Sequence, residues 1–413
     1  MKQSKHPKLF TRLIVIGGTN VALFILILGP LEGVSYFLVP LSGGSQVPHA
    51  RLNHTWKPRH SQEHAEWTFR NPEFSEPYVH YYNNQGWLED YDVRMDKPDT
   101  TYRIFYVEDS FTEGTCAMEE SVPSIVEVRL NSLLEDQPLN FEVINTGTSS
   151  YSPTIYYLLV RYVLMDYSPD MIVVNVDMTD DFDDWKYSHT LVQDDEGNPL
   201  YAPPRNIYES DFVDTEIGAI KSTFWLRTQL FLMHHSYTYN LIVRTKTDLL
   251  GKQSKTGAIY DIESSGLQRC GWCEKEWDAS TVRNVEYSLD LLRRLILWCN
   301  ANDIKILLTG VPHYWQYAGN LEGGNVPLWS SRPHYELARL AEETGASFLN
   351  SYEGLKPLIS GTPQTDYYYN EDIHFNPRGY AAWAEFQLEF LTADTNELLF
   401  GGFFPATNSK ADD

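Results

Sequence analysis

The chain has 413 residues, 42% of them apolar and 14% aromatic, and carries a net charge of −24. That length holds one large domain with insertions or two small ones, and the apolar content excludes wholesale disorder. The acidic balance excludes nucleic acid as a partner, because phosphate binding needs clustered Lys and Arg, and it favours solubility, including in a salty medium.

Lys2, Lys5, Lys8 and Arg12 precede an apolar run at 13–31, followed by Glu32 and a second apolar stretch at 33–39. The run is long enough to cross a bilayer, and its basic flank predicts a cytoplasmic N-terminus with the rest exported. No Ala-x-Ala-like site follows, and the run exceeds a usual signal core. Residues 1–40 are therefore read as an uncleaved transmembrane anchor rather than a cleaved signal peptide. Residues 41–75 have the Pro, His, Ser and Asn content of a linker. His54, His60 and His64 lie there without the Cys or carboxylate cluster that would complete a metal site.

Residues 76–395 alternate apolar strands with helices. Strands are expected at 101–107, 141–145, 171–176, 304–311 and 346–349, and helices at 122–134, 154–165, 282–299, 335–344 and 379–391. The run at 171–176 is almost continuously apolar, as in a strand buried on both faces. The pattern predicts a parallel sheet with helices on both sides. Residues 182–278 break the rhythm and read as an insertion. Within it, 224–243 is strongly apolar, but Arg227, Gln229, His234 and His235 argue against a second span. It is read as a helical element packing on the body or over the site. Cys270-Gly-Trp-Cys273 reads as a structural disulfide or a free pair ahead of a redox motif, since it sits in a polar loop. A C-terminal tail occupies 396–413.

The chemistry gathers at the carboxyl ends of the expected strands, where such sheets bind ligands. Ser110 follows the strand at 101–107, Gly147 the next, and the acidic run 177–184 the third; Asp372 and His374 lie before the last helix. A nucleophile, a base and an acid on separate loops point to nucleophilic hydrolysis. Each has a plainer reading: Ser110 as a helix cap, His374 as a surface histidine, the acidic run as a solvated loop or an oxygen-rich Ca²⁺ site.

In this order the blocks resemble the SGNH hydrolases, also called the GDSL esterase/lipase family, over about residues 80–392. Glu108-Asp109-Ser110 stands for the serine block, Asn145-Thr146-Gly147 for the glycine block, and Asp372, His374, Asn376 and Gly379 for the last. The 13–31 anchor and Asn83-Asn84-Gln85-Gly86-Trp87 are similar to features of membrane-tethered bacterial members. The resemblance implies a flavodoxin-like three-layer α/β/α sandwich and a serine esterase without cofactor. Ser110 would be the nucleophile, His374 the base and Asp372 the acid, with Glu371 the rival acid. Backbone amides of Ser110 and Gly147 would hold the oxyanion. Three departures stand out. Glu108 replaces a glycine, Asp180 stands where the family has an asparagine, and the acid lies two residues before the histidine. An ionised Asp180 cannot donate to an oxyanion. The implied substrate is a small ester or an acylated polysaccharide, outside the cytoplasmic membrane. The alternatives are an O-acyltransferase using the same triad, a catalytically impaired binding or assembly protein, and a thiol-disulfide protein using Cys270 and Cys273.

Overall fold

Strand side chains alternate between two faces, and in this chain both faces are covered. The computed structural model describes residues 29–36, 46–48, 55–58, 65–69, 77–133, 139–180, 191–202, 271–317, 330–370 and 372–393, with isolated positions at 73, 184, 187–188, 232, 236–239 and 241–242. Two units are distinguished: 1–46 with 221–256, and 47–220 with 257–413.

In the larger unit, β1 (Ala65–Phe69) pairs antiparallel with β2 (Tyr78–Tyr82). That ribbon begins inside the stretch read as linker. β3 (Thr101–Val107), β4 (Asn140–Asn145), β5 (Met171–Val176), β6 (Lys305–Gly310) and β7 (Ser347–Leu349) form one parallel sheet in the order β7-β6-β5-β3-β4. Counting these five strands along the chain, the order is the flavodoxin-like 2-1-3-4-5.

One face carries Phe105, Val107, Ile172, Val174 and Leu308. It packs on α3 (Pro153–Tyr162), α4 (Ala279–Ala301) and α5 (Arg332–Thr344). The other carries Ile104, Tyr106, Met171, Val173 and Leu307. It packs on α2 (Val122–Leu133), α6 (Ser351–Ile359) and α7 (Pro377–Thr392). This period-two partition makes the three layers, and it explains why the strands read as unbroken apolar runs.

In the smaller unit, Glu32 of the short helix at 29–36 accepts hydrogen bonds from Ser236 Oγ at 3.0 Å and Thr238 N at 3.1 Å. Among the described residues no helix is long and apolar enough to cross a membrane. Most of the span expected at 13–31 lies outside the described residues, as do most of 203–270 and Cys270. Cys273 is buried.

Candidate active site

Strand β3 ends at Val107, and the chain turns at once into α1 (Ser110–Glu113). Asp109 caps this turn, its carboxylate accepting from Phe111 N at 3.3 Å. Ser110 is partly exposed while its neighbours are buried, so its hydroxyl is reachable. The second loop precedes α7. Asn376 caps that helix by accepting from Gly379 N at 3.0 Å, and Pro377 starts it. The two loops are tied together: Thr115 N donates to Tyr380 Oη at 3.1 Å, and Tyr369 Oη to Thr115 O at 2.8 Å.

This brings three of the expected residues into one chain of hydrogen bonds. Ser110 Oγ lies 2.7 Å from His374 Nε2, and His374 Nδ1 lies 2.5 Å from Asp372 Oδ1. An ionised carboxylate only accepts, so Nδ1 carries the hydrogen and Nε2 offers its lone pair to the serine hydroxyl. Burial lowers the His374 pKa, but the Asp372 hydrogen bond and charge outweigh it, Asp109 and Asp177 add to them, and the net shift is upward. The carboxylate beside the imidazole is Asp372; Glu371 lies outside the described residues.

The expected oxyanion residues are placed differently. The Gly147 amide donates to Asn145 Oδ1 at 3.0 Å, so that donor is already engaged. The glycine is required for packing instead: a Cβ there would lie 2.3 Å from Glu113 N and 2.8 Å from Thr112 C, both backbone atoms of the serine turn. Asp180 is fully buried, and its carboxylate accepts the Tyr156 hydroxyl at 3.0 Å. The acidic run is accordingly not a solvated loop at Asp177, Asp180 or Asp184, all of them buried. Asp184 accepts from Ser152 Oγ at 2.7 Å and Thr154 N at 2.9 Å. No cluster able to hold a metal ion occurs among the described residues.

Glu108, the residue in place of a glycine, is buried, and its carboxylate accepts from Thr112 N inside the serine turn. Burial and the neighbouring Asp109 push it far above the usual range; Asp109 itself is pushed up to about 6, chiefly by burial.

Several residues shape the turn in ways the sequence reading did not assign, Asn145 having been read only as part of the glycine block. Asn145 Nδ2 donates to Thr112 O at 2.8 Å, and Asn175 Nδ2 to Thr112 Oγ1 at 2.7 Å. Glu113 accepts from Tyr82 Oη at 2.8 Å and Ser149 Oγ at 2.6 Å. A signal did exist for the two asparagines, since each interrupts an apolar strand near its carboxyl end. The Asn83–Trp87 segment folds on itself through Asn83 Oδ1, which accepts from Trp87 N at 3.0 Å. It docks beside Gly147 because Leu88 N donates to Asn145 O at 3.1 Å.

No family model matches the chain, and no curated protein does. Among solved structures, a catalytic mutant of Axe2, an acetylxylan esterase from Geobacillus stearothermophilus, is similar at 12% identity and a TM-score of 0.40, over 71% of this chain and 94% of that one. LAE5, an alpha/beta hydrolase enzyme from the metagenome of Lake Arreo, is similar at 11% identity and a TM-score of 0.36, over 70% of this chain and 93% of that one. Likenesses this faint carry no argument about what the chain does.

Proposed function

We propose that the chain is a serine esterase of SGNH type, anchored by residues 13–31 with its catalytic domain outside the cytoplasmic membrane. The observation that carries the reading is the unbroken chain from Ser110 Oγ through His374 to Asp372. Ser110 attacks the ester carbonyl as His374 Nε2 takes its proton. Asp372 holds the imidazole and stabilises its charged form, and the imidazolium then protonates the leaving alcohol. Water, or an acceptor alcohol in the acyl-transfer variant, resolves the acyl-enzyme by the same steps in reverse. The Ser110 amide is the first oxyanion donor; the Gly147 amide must be shared with Asn145 Oδ1 to act as the second. None of these steps calls for a cofactor. The substrate class is a small ester or an acylated polysaccharide.

The test is Ser110→Ala, assayed with a short-chain aryl ester and a fluorophosphonate probe. Turnover should fall by orders of magnitude, as removal of a nucleophile does, and labelling should vanish while the circular-dichroism spectrum is kept. Wild-type turnover in this variant would refute the mechanism.

A further inference from the structure

We infer that the buried Asp177–His313 pair is a positioning device for the site, holding the ring of Phe111 against the imidazole of His374. The inference rests on the proposed roles of Ser110 and His374.

Asp177 and His313 follow the carboxyl ends of the adjacent strands β5 and β6, where Val176 and Gly310 are in register. Both side chains are 1% exposed, and His313 Nε2 lies 2.6 Å from Asp177 Oδ1. Asp177 also accepts from Thr179 N at 3.1 Å. Burial raises Asp177, but His313 and Thr179 together bring it down to about 2, so it is an ionised acceptor. Two further contacts fix His313. Its backbone N–H donates to Gln316 Oε1 at 2.8 Å, and its ring lies 4.8 Å from that of Trp315.

The Phe111 ring stands between the two histidines. Its centroid is 5.1 Å from that of His313 and 4.6 Å from that of His374. Phe111 directly follows Ser110, so a fixed ring fixes the serine turn as well as one face of the base. A buried polar pair is weak evidence for stability, since packed apolar residues serve as well. Its place one ring away from His374 gives it a more specific task. The hydrogen bonds of Asp372 and Ser110 hold the edges of the imidazole; a wall on its face narrows the remaining freedom of its side-chain torsions. Asp177 also adds its charge to those of Asp372 and Asp109 in raising the His374 pKa against burial.

The test uses the full-length protein with isotope-labelled histidine, the His374 signals being assigned by their loss in His374→Gln. His313→Gln keeps a hydrogen-bond donor for Asp177 but removes the ring. Asp177→Asn removes the charge. In wild type the His374 ring protons should show the upfield shift of a ring lying against the Phe111 ring. His313→Gln should lose much of that shift, and Asp177→Asn should lower the His374 titration midpoint. Turnover per fluorophosphonate-titrated site should fall about tenfold to a hundredfold with little change in KM, the scale on which small misplacements act. A merely structural pair would reduce the number of titratable sites and leave rate per site, ring shift and midpoint unchanged; that result overturns the inference. If Ser110→Ala keeps full turnover, the esterase reading fails, while the ring shift and midpoint still decide whether the pair positions His374.

Discussion

In the proposed mechanism His374 acts as base only when neutral, yet its surroundings favour the charged form. Asp372, Asp109 and Asp177 together outweigh the burial that opposes them. The acid limb of kcat/KM should therefore lie above the ordinary imidazole value of about 6.5. Asp372→Asn should move that limb to lower pH and cut kcat, because the largest favourable interaction of the imidazolium is gone. A limb that stays in place in this variant would mean another group controls it. Asp180 gives a second prediction at this scale. Its carboxylate accepts the Tyr156 hydroxyl in a fully buried setting. An asparagine keeps an oxygen for that bond and adds an NH₂ donor. Asp180→Asn should fold normally and preserve or raise esterase activity, by up to the roughly 3 kcal/mol that an oxyanion donor contributes. A large loss with folding intact would show that the negative charge itself is needed.

At the scale of elements, β4 is an edge strand whose outward N–H groups are all taken by side chains. Phe141 N donates to Asn131 Oδ1 at 2.8 Å, Val143 N to Glu127 Oε2 at 3.1 Å, and Asn145 N to Glu89 Oε1 at 2.7 Å. Such capping blocks pairing with another chain. Burial pushes Glu127 up to about 7, with Glu142 and Asp90 adding to it and the Val143 amide opposing. The folded state thus binds this proton more tightly than the unfolded state, whose carboxyl titrates near 4.3. The stability from this group is full below about pH 4.3 and is lost as pH rises to about 7. Glu127→Gln keeps the acceptor without the charge. It should raise Tm by a few degrees at pH 8 and hardly at all at pH 4; an equal effect at both would contradict the assignment. The sequence made β3, β5 and the long helices legible because their patterns are continuous. Helix α6 was not legible, because Gly354 and Pro357 lie inside it. Gly354 is there for packing: a Cβ would fall 1.8 Å from the Phe386 ring. Ser110, His374 and Asp372, which the structure brings within hydrogen-bond distance, could be picked out from their local blocks. The Asp177–His313 contact could not, because it spans 136 residues and exists only once β5 and β6 are neighbours.

At the scale of the whole molecule, 56 acidic side chains face 32 Lys and Arg. Several of those cations are already matched, as in Arg293–Glu343 at 3.1 Å and Arg339–Glu336 at 2.8 Å. The unmatched acids repel one another, and unfolding spreads them apart, so the net charge opposes the compact state. Salt screens both the repulsion and the surface pairs. The pairs contribute little, roughly 0–1 kcal/mol each, so relief of the repulsion should win. Tm of the full-length protein in a neutral detergent should therefore rise as NaCl increases from low concentration. The rise should flatten near 1 M, where the screening length has dropped to about 3 Å and little repulsion remains to be screened. A Tm that climbs steadily through several molar would point instead to salt exclusion from the surface, which strengthens apolar burial without saturating. A Tm that falls with salt would mean that the matched pairs outweigh the excess charge.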